Sequence, residues 1–157
     1  MLLSKSDGSP FASGVSQYIY GAARPHDPSS RIKVMVLFED QQVMAVLDTG
    51  APYSICTPQI ADIIGLKREL NDVDIRLIVA HLGEVRGYLK RMTVRFLAYE
   101  GESLDIDATA FVPDLSPEDW DSTFPSFIGL TNCLELVRFA VDPANNTFYF
   151  GATDGGI

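Results

Sequence analysis

The sequence predicts a mainly β chain, and three observations predict it. Apolar and polar residues alternate with a period of two in short runs, such as Ile32, Val34, Val36 and Met92, Val94, Phe96. Breaks rich in Gly, Asp, Asn and Pro separate those runs every few residues. Helical spacing is confined to 59–64 and a weaker stretch at 133–137, so about eight strands and one or two short helices are expected.

The chain has 157 residues, which suits one domain. A chain of this size buries roughly 68–70% of its unfolded surface, so it needs no metal or disulfide to fold, and no cofactor is expected. The net charge is −9 and Lys and Arg form no stripe; Arg86, Lys90, Arg91 and Arg95 read as solvated positions. That balance argues against nucleic acid and against an anionic membrane surface. No run approaches the ~18 apolar residues needed to cross a bilayer. Residues 1–7 lack the apolar core of a signal peptide, and Cys56 and Cys133 make no disulfide framework. A cytoplasmic setting is expected, with both cysteines as small core side chains.

In chain order, residues 1–30 read as an arm and connector, with a β-prone run at 15–20 and prolines at 25 and 28. The globular domain is expected over 31–157. Residues 32–38 and 43–47 form a hairpin about a polar turn at 39–42. Thr57 is placed to cap a helix with Pro58 at its first position, Ile60, Ile63 and Ile64 on its apolar side, and Gly65 as its stop. Residues 74–80 and 85–89 form a second hairpin turning at 81–84, where Gly83 tolerates positive φ. Strands follow at 92–96 and 104–112. An acidic loop at 114–125 carries Trp120, which reads as a loop anchor. After Phe127-Ile128-Gly129, Thr131 is placed to cap a short helix containing Cys133, Leu134 and Val137. A hairpin over 139–150 closes the chain.

One stretch carries chemistry. Val43 to Leu47 is an apolar strand that ends on Asp48-Thr49-Gly50-Ala51, with Ser54 shortly after. Asp and Gly both end strands, so the carboxylate sits where a buried strand meets solvent. Ionisation there depends on neighbours, as general acid or base catalysis requires. The plain reading of Asp-Thr-Gly is a turn, and by residue frequency the tripeptide arises by chance in roughly a few per cent of chains this long. The apolar frame and the later Phe127-Ile128-Gly129 raise it above that.

Together these residues resemble the retropepsin-like aspartic proteases. The signature is an apolar strand, Asp-Thr/Ser-Gly-Ala, a nearby Ser or Thr, a flap hairpin with Gly near its tip, and apolar-apolar-Gly near the C-terminus. Here Val46 to Ala51, Ser54, the hairpin at 81–87 and 127–130 fill those places, and the resemblance covers 31–150. It implies a retropepsin-like acid-protease β-barrel with a flap hairpin. It implies Asp48, Thr49 and Gly50 as catalytic residues, and Ala51, Ala80, His81, Leu82, Gly83, Phe127 and Ile128 as the peptide-binding set. Thr49 would fix the paired loops across a two-fold axis. This chain departs from the pattern after Gly129, where Leu130 and Thr131 displace Asn132 by one position.

Asp7-Gly8-Ser9 and Asp154-Gly155-Gly156 lack an apolar strand before them, so one chain supplies one catalytic carboxylate. The resemblance therefore implies a homodimer hydrolysing an extended polypeptide with a water activated between two Asp48 side chains. The alternative is a non-catalytic retropepsin-like module for dimerisation or peptide binding. His26 and His81 lack a metal partner at ligand spacing and are not candidates for catalysis.

Overall fold

A computed structural model of the chain describes residues 2–79 and 82–153. The alternating runs form twelve strands: β1 (Gly14–Gln17), β2 (Ile19–Ala22), β3 (Ser30–Phe38), β4 (Gln41–Leu47), β5 (Ser54–Ile55), β6 (Asp74–Val79), β7 (Gly83–Phe96), β8 (Glu100–Gly101), β9 (Leu104–Pro113), β10 (Phe127–Ile128), β11 (Val137–Asp142) and β12 (Thr147–Ala152). A single α-helix among the described residues, α1 (Pro58–Ile64), follows β5.

Eight strands run in the order β2-β3-β4-β10-β5-β9-β7-β6, and β3 also pairs with β7 through Val36 and Phe96, Leu37 and Arg95, Phe38 and Val94. That extra pairing closes a barrel of β3, β4, β10, β5, β9 and β7, with β2 and β6 on its outside. Closure removes edges that would otherwise recruit other strands. The second sheet, β11-β12-β1-β8, covers one side of the barrel. Phe148 and Phe150 alternate inward from β12 and meet Phe96 of the barrel at ring separations of 5.9 and 5.8 Å. These fully buried rings weld the two sheets into one core.

The N-terminal segment is part of both sheets. β1 lies between β12 and β8, and β2 pairs with β3. Before them, Ser4 bridges Pro10 and the Phe11 amide bonds the Leu3 carbonyl at 2.9 Å.

Several elements differ from the sequence expectation. The first hairpin turns in two residues, Glu39 and Asp40, because Phe38 pairs with Gln41 and Glu39 takes φ of 53°; a tight turn with positive φ matches the twist of the flanking strands. In α1, Ile60 and Ile64 pack on the core but Ile63 is exposed. The 85–89 and 92–96 runs are one strand, β7, whose inward phase slips near Tyr88. Val85 and Leu89 serve one core; Tyr88, Met92, Val94 and Phe96 serve the other. Lys90 is not a solvated position: its ammonium bonds Glu69 at 2.8 Å and Asp72 at 2.9 Å and is largely covered. The helix expected after Thr131 is only a 3-10 turn, Leu134–Leu136. Asn132 adopts φ of 49°, and Val137 already belongs to β11. A β-branched residue in an alternating run favours the strand.

Candidate functional site

β10 is two residues long and holds the site together. It lies parallel to β4, with Phe127 beside Val46 and Ile128 beside Leu47, and antiparallel to β5, with Phe127 beside Ile55. Both ends of the Asp48 loop are therefore bonded to one short strand. The Asp48 amide donates to the Ile128 carbonyl at 2.9 Å. The Ala51 amide closes a turn on the Asp48 carbonyl at 3.1 Å, and the Leu130 amide donates to the Ala51 carbonyl at 2.9 Å.

The carboxylate is oriented as well. The Gly50 amide donates to Asp48 Oδ1 at 2.9 Å. A Cβ on residue 50 would stand 3.2 Å from that oxygen, which is why Gly suits the position. Behind the loop, the buried Ser54 hydroxyl accepts from the Gly129 amide at 2.9 Å and also contacts the Cys133 thiol. Burial pushes the Cys133 thiol up to about 11 and the Cys56 thiol to about 12, so both stay protonated core groups.

Asp48 is half-buried and lines a cleft of about 630 Å³. Gly50, Ala51, Pro52, Tyr53, Ile55 and Phe127 line it beside Asp48. Leu77, Ile78 and Val79 of β6 also line it, and Phe124 and Pro125 come from the acidic loop. Trp120 anchors that loop: it is buried, meets Phe124 edge-on at 5.5 Å, and its carbonyl and that of Pro117 accept from Gln59. The remaining wall is the connector, 23–28, with Arg31.

Of the residues expected at the site, Asp48, Gly50, Ala51 and Phe127 line the cleft. Thr49 is exposed on the loop beside them. Ile128 is fully buried in the main core; strand alternation turns Phe127 to the cleft and Ile128 away, so Ile128 serves Asp48 through its carbonyl. Leu82 packs into the smaller core under the hairpin, and Gly83 opens β7 with φ of 76°. Ala80 and His81 lie outside the described residues. The sequence reading omitted the connector with Arg31, then Pro52, Tyr53, Ile55, Phe124 and Pro125, and Leu77 to Val79. Alternation at Ile75, Leu77 and Val79 was a visible signal for the last group; the connector offered none.

A second lining carboxylate, Asp27, is already engaged. It accepts from the Ser29 amide at 3.0 Å and from Arg31 Nε at 3.4 Å, and these hold it below the usual carboxylate range. A group so held is a poor donor of a shared proton. Among the described residues no three His, Cys, Asp or Glu side chains gather into a metal-holding group, and no helix is long and apolar enough to cross a membrane.

No protein-family model matches the sequence, and no curated protein does. Among solved structures the chain is similar to a retropepsin-like aspartic protease from Rickettsia conorii, at 20% identity and a TM-score of 0.52, over 88% of this chain and 95% of that one. It also aligns with the EIAV protease in complex with an inhibitor, at 20% identity and a TM-score of 0.42, over 66% of this chain and 86% of that one. The first likeness carries the fold: the chain has a mainly β, retropepsin-like fold.

Proposed function

We propose that this chain is one half of an aspartic endopeptidase, acting as a homodimer in which each copy contributes Asp48. The observation that carries the reading is the carboxylate itself. It stands at the end of β4, pinned through its amide by Ile128 and through Oδ1 by Gly50, and lines an apolar cleft.

The chemistry follows from pairing two such groups. Two carboxylates a few ångströms apart share one proton, because both cannot ionise together. The ionised one takes a proton from a water held between them as that water attacks the peptide carbonyl. The protonated one donates to the carbonyl oxygen as it becomes tetrahedral. Thr49 and Gly50 are read as catalytic-loop residues, Thr49 bonding across the axis. Ala51, Leu82, Gly83 and Phe127, with Ala80 and His81 by the resemblance alone, are read as the peptide-binding surface. A peptide laid along β6 would extend the sheet and alternate its side chains into the walls.

The test is cleavage of a peptide library by the wild-type chain and by Asp48→Asn, with sedimentation of both. Loss of cleavage with the dimer retained supports the reading; equal cleavage by both overturns it. Of the second reading, a non-catalytic dimerisation or peptide-binding module, one observation favours the peptide-binding form. β12 has both edges occupied within its own chain, by β11 and β1, which leaves it no edge to share with a second copy. A chain that stays monomeric at working concentration favours that reading, since an isolated Asp48 has no partner.

A further inference from the structure

Arg31 and Asp48 line the same cleft, and the strand register explains why. The ladder between β3 and β4 ends with Lys33 beside Val46. Carrying that antiparallel register two residues further sets Arg31 across from Asp48. On its other flank Arg31 pairs with Gly21 of β2. Gly21 has no side chain to cover its neighbour, and a Cβ there would meet only the Lys33 ammonium, at 4.0 Å. The space beside the arginine is open.

The guanidinium is only partly engaged. Nε donates to Asp27 Oδ2 at 3.4 Å, a long contact for a hydrogen bond. Asp27 is almost covered, and its other oxygen accepts from the Ser29 amide at 3.0 Å. The arginine is therefore held along one edge by a fixed carboxylate. Among the described residues Nη1 and Nη2 have no acceptor, and Arg31 forms its ion pair with Asp27 and not with Asp48. These nitrogens are not covered by protein. The Arg31 side chain keeps 36% of its surface, and the buried nitrogens that lack a partner belong to Arg24 and Trp120. Arg24 differs in just this respect: it pairs with Asp121, and its Nη1 is covered. Two N–H groups on a planar fork match the two oxygens of a carboxylate. Much of the remaining lining is apolar, with Tyr53, Ile55, Leu77, Phe124 and Phe127, so an accessible cation is the group that orients a ligand there.

We propose that Arg31 is a specificity residue whose Nη1 and Nη2 bind a carboxylate of the bound peptide. That carboxylate is an Asp or Glu side chain or the peptide's own C-terminus, and the experiment distinguishes the two sources. That the peptide is a substrate rests on the proteolytic reading above; the binding preference does not.

Fluorescently labelled peptides with a central Phe-Phe pair and blocked ends carry a single Glu walked through the flanking positions, each beside its Gln counterpart. A further pair without Glu ends in a free carboxylate or in an amide. Binding to the full chain carrying Asp48→Asn is read by fluorescence anisotropy, and cleavage by the chain with Asp48 intact is read in parallel. In at least one pair the carboxylate member is expected to bind roughly tenfold more tightly. Arg31→Gln brings that ratio toward one. Arg31→Lys keeps the charge but loses the fork, and gives an intermediate ratio. A fall in affinity common to both members, as a displaced connector produces, leaves the ratio unchanged. A preference in the Glu series assigns Arg31 to a side chain; one confined to the free-acid pair assigns it to the peptide end. Equal binding within every pair, a preference that survives Arg31→Gln, or no binding of any peptide overturns the proposal. If Arg31→Gln does not fold, Arg31→Lys carries the comparison, and an undiminished ratio there overturns it. Absence of cleavage alongside a preference that depends on Arg31 counts against the proteolytic reading alone. Cleavage without any preference counts against this proposal alone.

Discussion

Ser54 and Gly129 are joined by a hydrogen bond of 2.9 Å in which the buried Ser54 hydroxyl accepts from the Gly129 amide, and this bond ties the strand leaving the Asp48 loop to the strand beside it. Ser54→Ala strands a buried amide and is expected to cost about 1–3 kcal/mol in urea unfolding. Gly129→Ala is expected to cost more, about 3 kcal/mol, because a Cβ there falls on the Tyr53 carbonyl and within 2.8 Å of the Ser54 nitrogen. If both variants unfold like wild type, β10 does not hold the loop.

The second prediction concerns the closing sheet. β12 lies between β11 and β1 of its own chain, and its inward Phe148 and Phe150 are fully buried against Phe96. It is therefore a core strand here. Phe148→Ala is expected to cost about 3–5 kcal/mol. A chain cut after Asp142 is expected to lose cooperative thermal unfolding. A well-folded monomer from that truncation would show instead that the strand serves assembly and not the fold.

Much of this was legible before the structure, for physical reasons. Thr57, Pro58 and Gly65 fix the ends of α1 by local chemistry alone: the Thr57 hydroxyl accepts from the Ile60 amide, and Gly65 takes φ of 77°. Asp48 was legible because an apolar strand cannot continue through Asp-Thr-Gly. The connector was not, because its place in the cleft depends on Arg24 meeting Asp121, 97 positions away, and no local pattern records that. Nor was the fate of Thr131 to Val137. Its spacing suits a helix, but the pairing of Val137 with Ala152 in β11 and β12 overrides it.

The third prediction is a stability plateau bounded at both ends of the pH scale. Asp72 is held below its ordinary 3.8 chiefly by the Glu69 amide and then by Lys90, Asp105 by Arg95, and Asp121 by the Thr123 hydroxyl and amide. A carboxyl with a lowered folded pKa stabilises the fold above its unfolded value, so this contribution is lost as pH falls below about 4. At the other end, burial raises Cys56 to about 12 and Cys133 to about 11 from an ordinary 9.0. Above pH 9 these thiols ionise in the unfolded chain first, so stability declines by roughly 1 kcal/mol per thiol by pH 10. Urea unfolding across that range checks both limbs. Cys56→Ala should flatten the alkaline one, and an unchanged slope would mean that the thiol is not buried in the folded chain.

The last prediction separates binding from folding. Ile78 is 81% exposed, yet it lines the cleft from β6 beside the buried Val79. A large apolar side chain left in water contributes little to the fold, so Ile78→Ser is expected to change unfolding free energy by no more than about 0.5 kcal/mol. A peptide entering the cleft would cover that side chain, and burying an isoleucine is worth about 1.5–3 kcal/mol. The variant is therefore expected to weaken binding of a peptide with a bulky apolar centre by roughly tenfold or more. The same change in Phe127 would confuse the two effects, because Phe127 also pairs with Val46 and Ile55 and stacks on Phe124. Unaltered affinity in Ile78→Ser, with stability also unaltered, would mean that the β6 hairpin does not close on the peptide and that the apolar wall of the cleft is made by the barrel side alone.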